Sequence, residues 1–133
     1  MGRQVLGVVV GILVGGVVIA LVEALGHMIF PTAAIEDISQ FANVMSRLPL
    51  GAKAFVILAW GTGIFVGGLT SLKISGGQRQ GPPWPAWAVA AVLFGGAVWT
   101  MFQFPHPTWM IVASIMVTLL GAWGAGRLMQ TRS

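Results

Sequence analysis

The chain has no cysteine, which excludes a disulfide framework, a thiolate metal site and a thiol nucleophile. It is also poor in charge, since only 8% of its 133 residues are Asp, Glu, Lys or Arg. A soluble domain needs roughly a quarter of its residues charged to cover its surface. Only 3 of the charged residues are acids, against 7 Lys and Arg, so paired carboxylates for acid–base chemistry are scarce. The sequence contains no Gly-x-Ser-x-Gly elbow, no H-E-x-x-H and no phosphate-cradling glycine loop, and the expectation is a protein without enzymatic activity.

What is abundant is apolar surface. Hydrophobic residues make up 56% of the chain and the mean hydropathy is +0.88, so lipid has to cover what charge does not. The net charge of +4 is scattered and forms no basic run, which argues for membrane orientation and against nucleic acid as a partner.

Four runs are long enough to span a bilayer: Val5 to Gly26, Ala52 to Leu72, Trp84 to Phe104 and Thr108 to Met129. At about 1.5 Å per residue each reaches roughly the 30 Å of a hydrocarbon core. The first run follows Arg3 as a signal peptide might, but its length and the lack of a small-x-small cleavage site favour a retained helix. The expected fold class is an all-α membrane protein, a single domain over residues 1–133 built as a four-transmembrane-helix bundle.

An even number of spans puts both termini on one side, together with the glycine- and proline-punctuated connector "SGGQRQGPPWP". Arg3, Lys73, Arg79, Arg127 and Arg132 fall on that side and only Arg47 and Lys53 on the other. The excess predicts cytoplasmic N and C termini. Glu23, Glu36, Asp37, His27 and His106 then all lie toward the outer end.

Residues 33–48 read as a short amphipathic helix in the first outer loop. Ile35, Ile38, Phe41, Ala42, Val44, Met45 and Leu48 share one half, and Glu36, Ser39, Gln40, Asn43, Ser46 and Arg47 the other. Asp37 breaks this pattern by falling on the apolar half.

Gly7, Gly11 and Gly15 recur at four-residue spacing in the first run, and Gly63 and Gly67 in the second. Such stripes let another backbone approach closely, either within the bundle or from a second copy, and the general frequency of glycine in spanning helices favours the former. "AWGTG" at Ala59 reappears as "AWGAG" at Ala122, and "GGVV" at Gly15 resembles "GGAV" at Gly95, which hints at duplication of a helix pair. Trp84, Trp87, Trp99, Trp109 and Trp123 fall toward the ends of spans as interfacial anchors do, whereas Trp60 lies nearer mid-span and reads as a packing residue.

Glu23 and His27 are one helical turn apart on one face, at the outer end of the first span. His106 stands between two prolines in the turn before the fourth span, with Gln103 just ahead of it. One reading is an outward polar pocket of Glu23, His27, Gln103 and His106, with Asp37 folding over it. Imidazole and carboxylate donors from His27, His106 and Glu23 suit a divalent metal, and a Glu–His pair can relay protons. The plainer reading gives these residues no ligand: Glu23 snorkels to the interface, His27 meets a terminal carbonyl and His106 is exposed in a turn.

"EALGHMIFP", then "LPLGAKAFVILAWGTGIFVGG", then "FPHPTWM" together resemble a group of small bacterial inner-membrane proteins of uncharacterised activity. The resemblance implies four helices and a cytoplasmic-membrane address. "LVEALG" is also similar to the first helix of the small multidrug-resistance transporters, in which a glutamate binds protons and drugs. Here that position is Glu23, but it lies near the end of its helix, the first loop is long, and nothing downstream matches. The expectation is a non-catalytic accessory or interaction subunit without a cofactor, whose partners are the bilayer and a second copy or another membrane protein. The alternative is a small oligomeric transporter or ion-handling protein.

Overall fold

The structure is a computed structural model that describes residues 2–31, 43, 47–76, 83–103 and 106–132. Regular structure among these is entirely helical. The long helices are α1 (Gly2–Ile29), α2 (Leu50–Ile74), α3 (Trp84–Gln103) and α4 (Thr108–Arg132), each long and apolar enough to cross a membrane. Asn43 and Arg47 are also helical, but apart from them and Leu48 the amphipathic segment, with Asp37, lies outside the described residues, as does Phe104.

Three of the four helices start directly after a proline. The carbonyl of Pro49 accepts from the N–H groups of Ala52 and Lys53 at 3.1 and 3.3 Å, that of Pro83 from Ala86 and Trp87 at 3.2 and 3.5 Å, and that of Pro107 from Met110 and Ile111 at 3.0 and 3.4 Å. Proline costs nothing at a helix start, because an N–H there has no intrahelical partner. Its ring also fixes φ, at −58° for Pro49. At the other end of α2, Gly76 adopts φ 99° while its N–H bonds the Lys73 carbonyl at 3.3 Å, a left-handed turn that stops the helix. α1 extends beyond its apolar run at both ends, because hydropathy marks what lipid can cover and backbone hydrogen bonding continues through Arg3 and Gln4.

Sequence neighbours run antiparallel, as the pairing of Gly7, Gly11 and Gly15 with Ser71, Gly67 and Gly63 shows for α1 and α2, so one end of the molecule carries both termini and the α2/α3 connection. The other carries the α1/α2 and α3/α4 connections; these are called the termini end and the loop end. α2 packs against all three other helices, most extensively against α1 and next against α4. Among the described residues α1 and α4 do not touch. The cross-section is therefore a rhombus, with α2 and α3 on its short diagonal.

Small residues set how closely the helices approach. In the α1/α2 seam a Cβ on Gly7 would meet the Ser71 carbonyl oxygen at 2.5 Å, one on Gly11 that of Gly67 at 2.6 Å, and one on Gly15 that of Gly63 at 2.8 Å. Each step of four along α1 is matched by four back along α2, which is antiparallel register. Backbones this close gain dispersion and Cα–H to oxygen contacts, which hold helices together where lipid removes the hydrophobic incentive. The α2/α4 contact is made the same way, with Gly68 against Ala125 and Gly121 against Ile64.

The central cluster joins Ile19, Ala59, Ile64, Val89, Ala90, Leu93 and Ala122, and a second one toward the termini end joins Leu72, Ala86 and Ala125. Trp60 packs against the first of these. The "AWGTG" and "AWGAG" likeness places Ala59 and Ala122 alike, both fully buried. The helix packing does not repeat with it: a two-fold arrangement of helix pairs would make α1/α4 the counterpart of α2/α3, and α1 and α4 are apart.

Candidate functional site

The loop end of α1 carries the two ionisable groups singled out above. Glu23 is half-buried and His27 is exposed, one turn apart and close enough to interact electrostatically. Gly26 turns inward, where a Cβ would touch the Phe55 side chain at 3.0 Å. His27, the next residue, points about 100° away from that contact, outward from α2.

The other members of the proposed pocket are placed differently. Gln103 is exposed at the last turn of α3, and His106 is half-buried between α3 and α4, where it already has an interaction partner. Among the described residues no group of three or more His, Cys, Asp or Glu side chains is arranged to hold a metal ion. The structure thus joins Glu23 with His27 and supplies two donors on one helix face.

An aromatic pair fills the space between α1 and α2 beside them. The rings of Phe30 and Phe55 stand 6.0 Å apart and nearly edge to face, at 62°. A Cβ on Gly51 would strike the Phe30 ring at 2.5 Å, so glycine is what lets this ring fold down onto α2. In the sequence Gly51 sits in an ordinary apolar run and nothing local signals the role.

The bundle interior contains buried hydroxyl groups. Ser114 and Thr118 are buried on α4 beside the apolar core, and Ser71 is buried on α2. Each donates to a carbonyl of its own helix: Ser114 to Met110 at 2.7 Å, Thr118 to Ser114 at 2.7 Å and Ser71 to Gly68 at 2.8 Å. Thr62 and Thr70 do likewise, to Leu58 at 2.6 Å and Val66 at 2.8 Å. Their protons are thereby committed, and no buried ionisable side chain accompanies them among the described residues.

The outer surface carries an apolar groove of about 350 Å³ between α2 and α4. Its walls include Leu58, Gly61, Thr62 and Phe65 of α2 and Val117, Leu120 and Gly121 of α4. It exists because Gly61 and Gly121 present no side chain where the two helices meet. Toward the termini end on α4 the Arg127 guanidinium lies over the Trp123 ring, 5.6 Å from its centroid. Trp84, Trp87, Trp99 and Trp109 are exposed near helix ends.

Comparison with protein-family models, with curated proteins and with solved structures finds no match for this chain.

Proposed function

We propose that the chain is a non-catalytic integral subunit of the bacterial cytoplasmic membrane, with both termini in the cytoplasm, that works by associating with a second copy or another membrane protein. The observation that carries this reading is the sealed interior. The buried hydroxyls of Ser71, Ser114 and Thr118 all bond their own helices, and the described ionisable side chains lie toward helix ends or on outer faces. Among its described residues a single copy therefore offers no polar path, and transport of an ion or solute needs one. α1 also keeps most of its circumference uncovered, with Leu13, Val17 and Leu21 among its exposed residues.

A second reading is favoured by one specific placement, Glu23 and His27 one helical turn apart at the loop end of α1. In that reading the pair handles a proton or a divalent metal at the outer mouth of an oligomer, with the path built between copies.

Native mass spectrometry of the protein extracted gently from its own membrane separates the two. A heteromeric mass, or a homo-oligomer without ligand, supports the interaction subunit; a bare monomer counts against it. A homo-oligomer carrying a metal that is lost in Glu23→Gln supports the second reading.

A further inference from the structure

The groove between α2 and α4 continues at the termini end into a pair of cations. Lys73 follows Thr62 by eleven residues, three turns of α2, and so stands directly beneath it on the same face. Arg127 follows Leu120 by seven residues, two turns of α4, and stands beneath that residue in the same way. Thr62 and Leu120 are opposite walls of the groove. α2 and α4 run in the same direction, so both steps lead toward the termini end, and both cations are exposed.

We propose that this groove seats one acyl chain of an anionic phospholipid whose phosphate is held between Lys73 and Arg127. The proposal rests on the membrane reading above. Charge complementarity identifies the occupant: the three acidic side chains of the chain are Glu23, Glu36 and Asp37, all at the loop end or in its first connection, so among the described residues this end has cations and no acidic side chain to neutralise them. The Arg127 guanidinium is drawn over Trp123, one turn nearer the bilayer centre, and does not extend toward the cytoplasm. With α4 centred on a hydrocarbon core of about 30 Å, that stack lies several ångströms inside the boundary, where a cation needs a counter-ion. A lipid phosphate reaches that depth. Beyond it the exposed side chains of Trp123, Leu120 and Met116 continue in one stripe. From Arg127 to Met116 is eleven residues, about 16 Å of helix, which is close to the half-thickness an acyl chain occupies.

The test is native mass spectrometry of the full chain in micelles doped with equal amounts of phosphatidylglycerol and phosphatidylcholine of identical acyl chains. Preferential retention of phosphatidylglycerol is expected, falling about fivefold with each of Lys73→Gln and Arg127→Gln and vanishing in the double variant. Arg127→Lys should keep most of the preference, and Leu120→Trp, which fills the groove, should weaken retention of both lipids. Equal retention of the two lipids, or a preference that survives the double variant, overturns the site. So does displacement of the lipid by millimolar inorganic phosphate, which would make this a general anion patch. A protein that leaves the membrane in alkaline carbonate overturns the membrane reading itself, whereas one that stays and shows no preference overturns only the lipid site.

Discussion

Gly11 and Gly67 block one another reciprocally: a Cβ on the first would lie 2.6 Å from the carbonyl oxygen of the second, and a Cβ on the second 2.5 Å from that of the first. Neither contact is with a flexible side chain that can move aside. The seam therefore tolerates no methyl group at either position without separating α1 from α2.

Gly67→Ala should accordingly destabilise the protein by about 1–3 kcal/mol. Gly16, one position beyond Gly15 on α1, has nothing within 4 Å of its would-be Cβ. Gly16→Ala should be neutral or stabilising by up to about 1 kcal/mol, from helix propensity alone. Unfolding of the micelle-bound protein by sodium dodecyl sulfate, followed by circular dichroism, measures both; equal effects would show that the seam is looser than described.

Ile64 is fully buried where α2 meets its neighbours, whereas Leu13 of α1 is 64% exposed. Ile64→Ala should cost about 2–5 kcal/mol, the usual range for emptying a packed site. Leu13→Ala should stay within about 0.5 kcal/mol of the parent. The same unfolding assay ranks the pair, and the reverse order would mean that the face of α1 bearing Leu13 is covered.

The hydroxyls on α4 give a test of the sealed interior. Ser114→Ala and Thr118→Val each remove a bond to the residue's own helix, worth about 1 kcal/mol or less. Small losses of stability and unchanged association are expected. A change in proton or ion flux in reconstituted vesicles would instead reveal a path that uses these hydroxyls.

Orientation can be measured directly because the chain has no cysteine of its own. Gly2 and Thr108 are exposed at opposite ends of the molecule. In intact cells a membrane-impermeant thiol reagent should label Thr108→Cys, and should label Gly2→Cys only after permeabilisation. The opposite pattern would invert the assignment made from the Lys and Arg counts.

The four helices are legible from one strong local signal, which a second joins in three of them. Long apolar runs mark what lipid can cover, and Pro49, Pro83 and Pro107 each stand immediately before a helix. The pairing of helices was not legible. Four-residue glycine spacing states that a backbone can come near, and it does not say which one; the match of Gly7, Gly11 and Gly15 to Ser71, Gly67 and Gly63 is a tertiary choice. The candidate site divides in the same way. The Glu23 and His27 relationship follows from helical periodicity, which is local. Among the described residues no group of three such donors forms, and the direction in which their face of α1 points is set by Gly26 facing Phe55.

The order in which these helices meet bears on how the protein is made. α2 packs more extensively than α3 on both α1 and α4, and α4 in particular packs more extensively on α2 than on α3, which immediately precedes it in the chain. A nascent polypeptide completes its closest-fitting interface once α2 has entered the bilayer. The other side of α2 then stays uncovered through synthesis of α3 and is closed only when the last span arrives. During that interval the half-made protein displays a ready surface to insertion factors, and to other chains being synthesised alongside it.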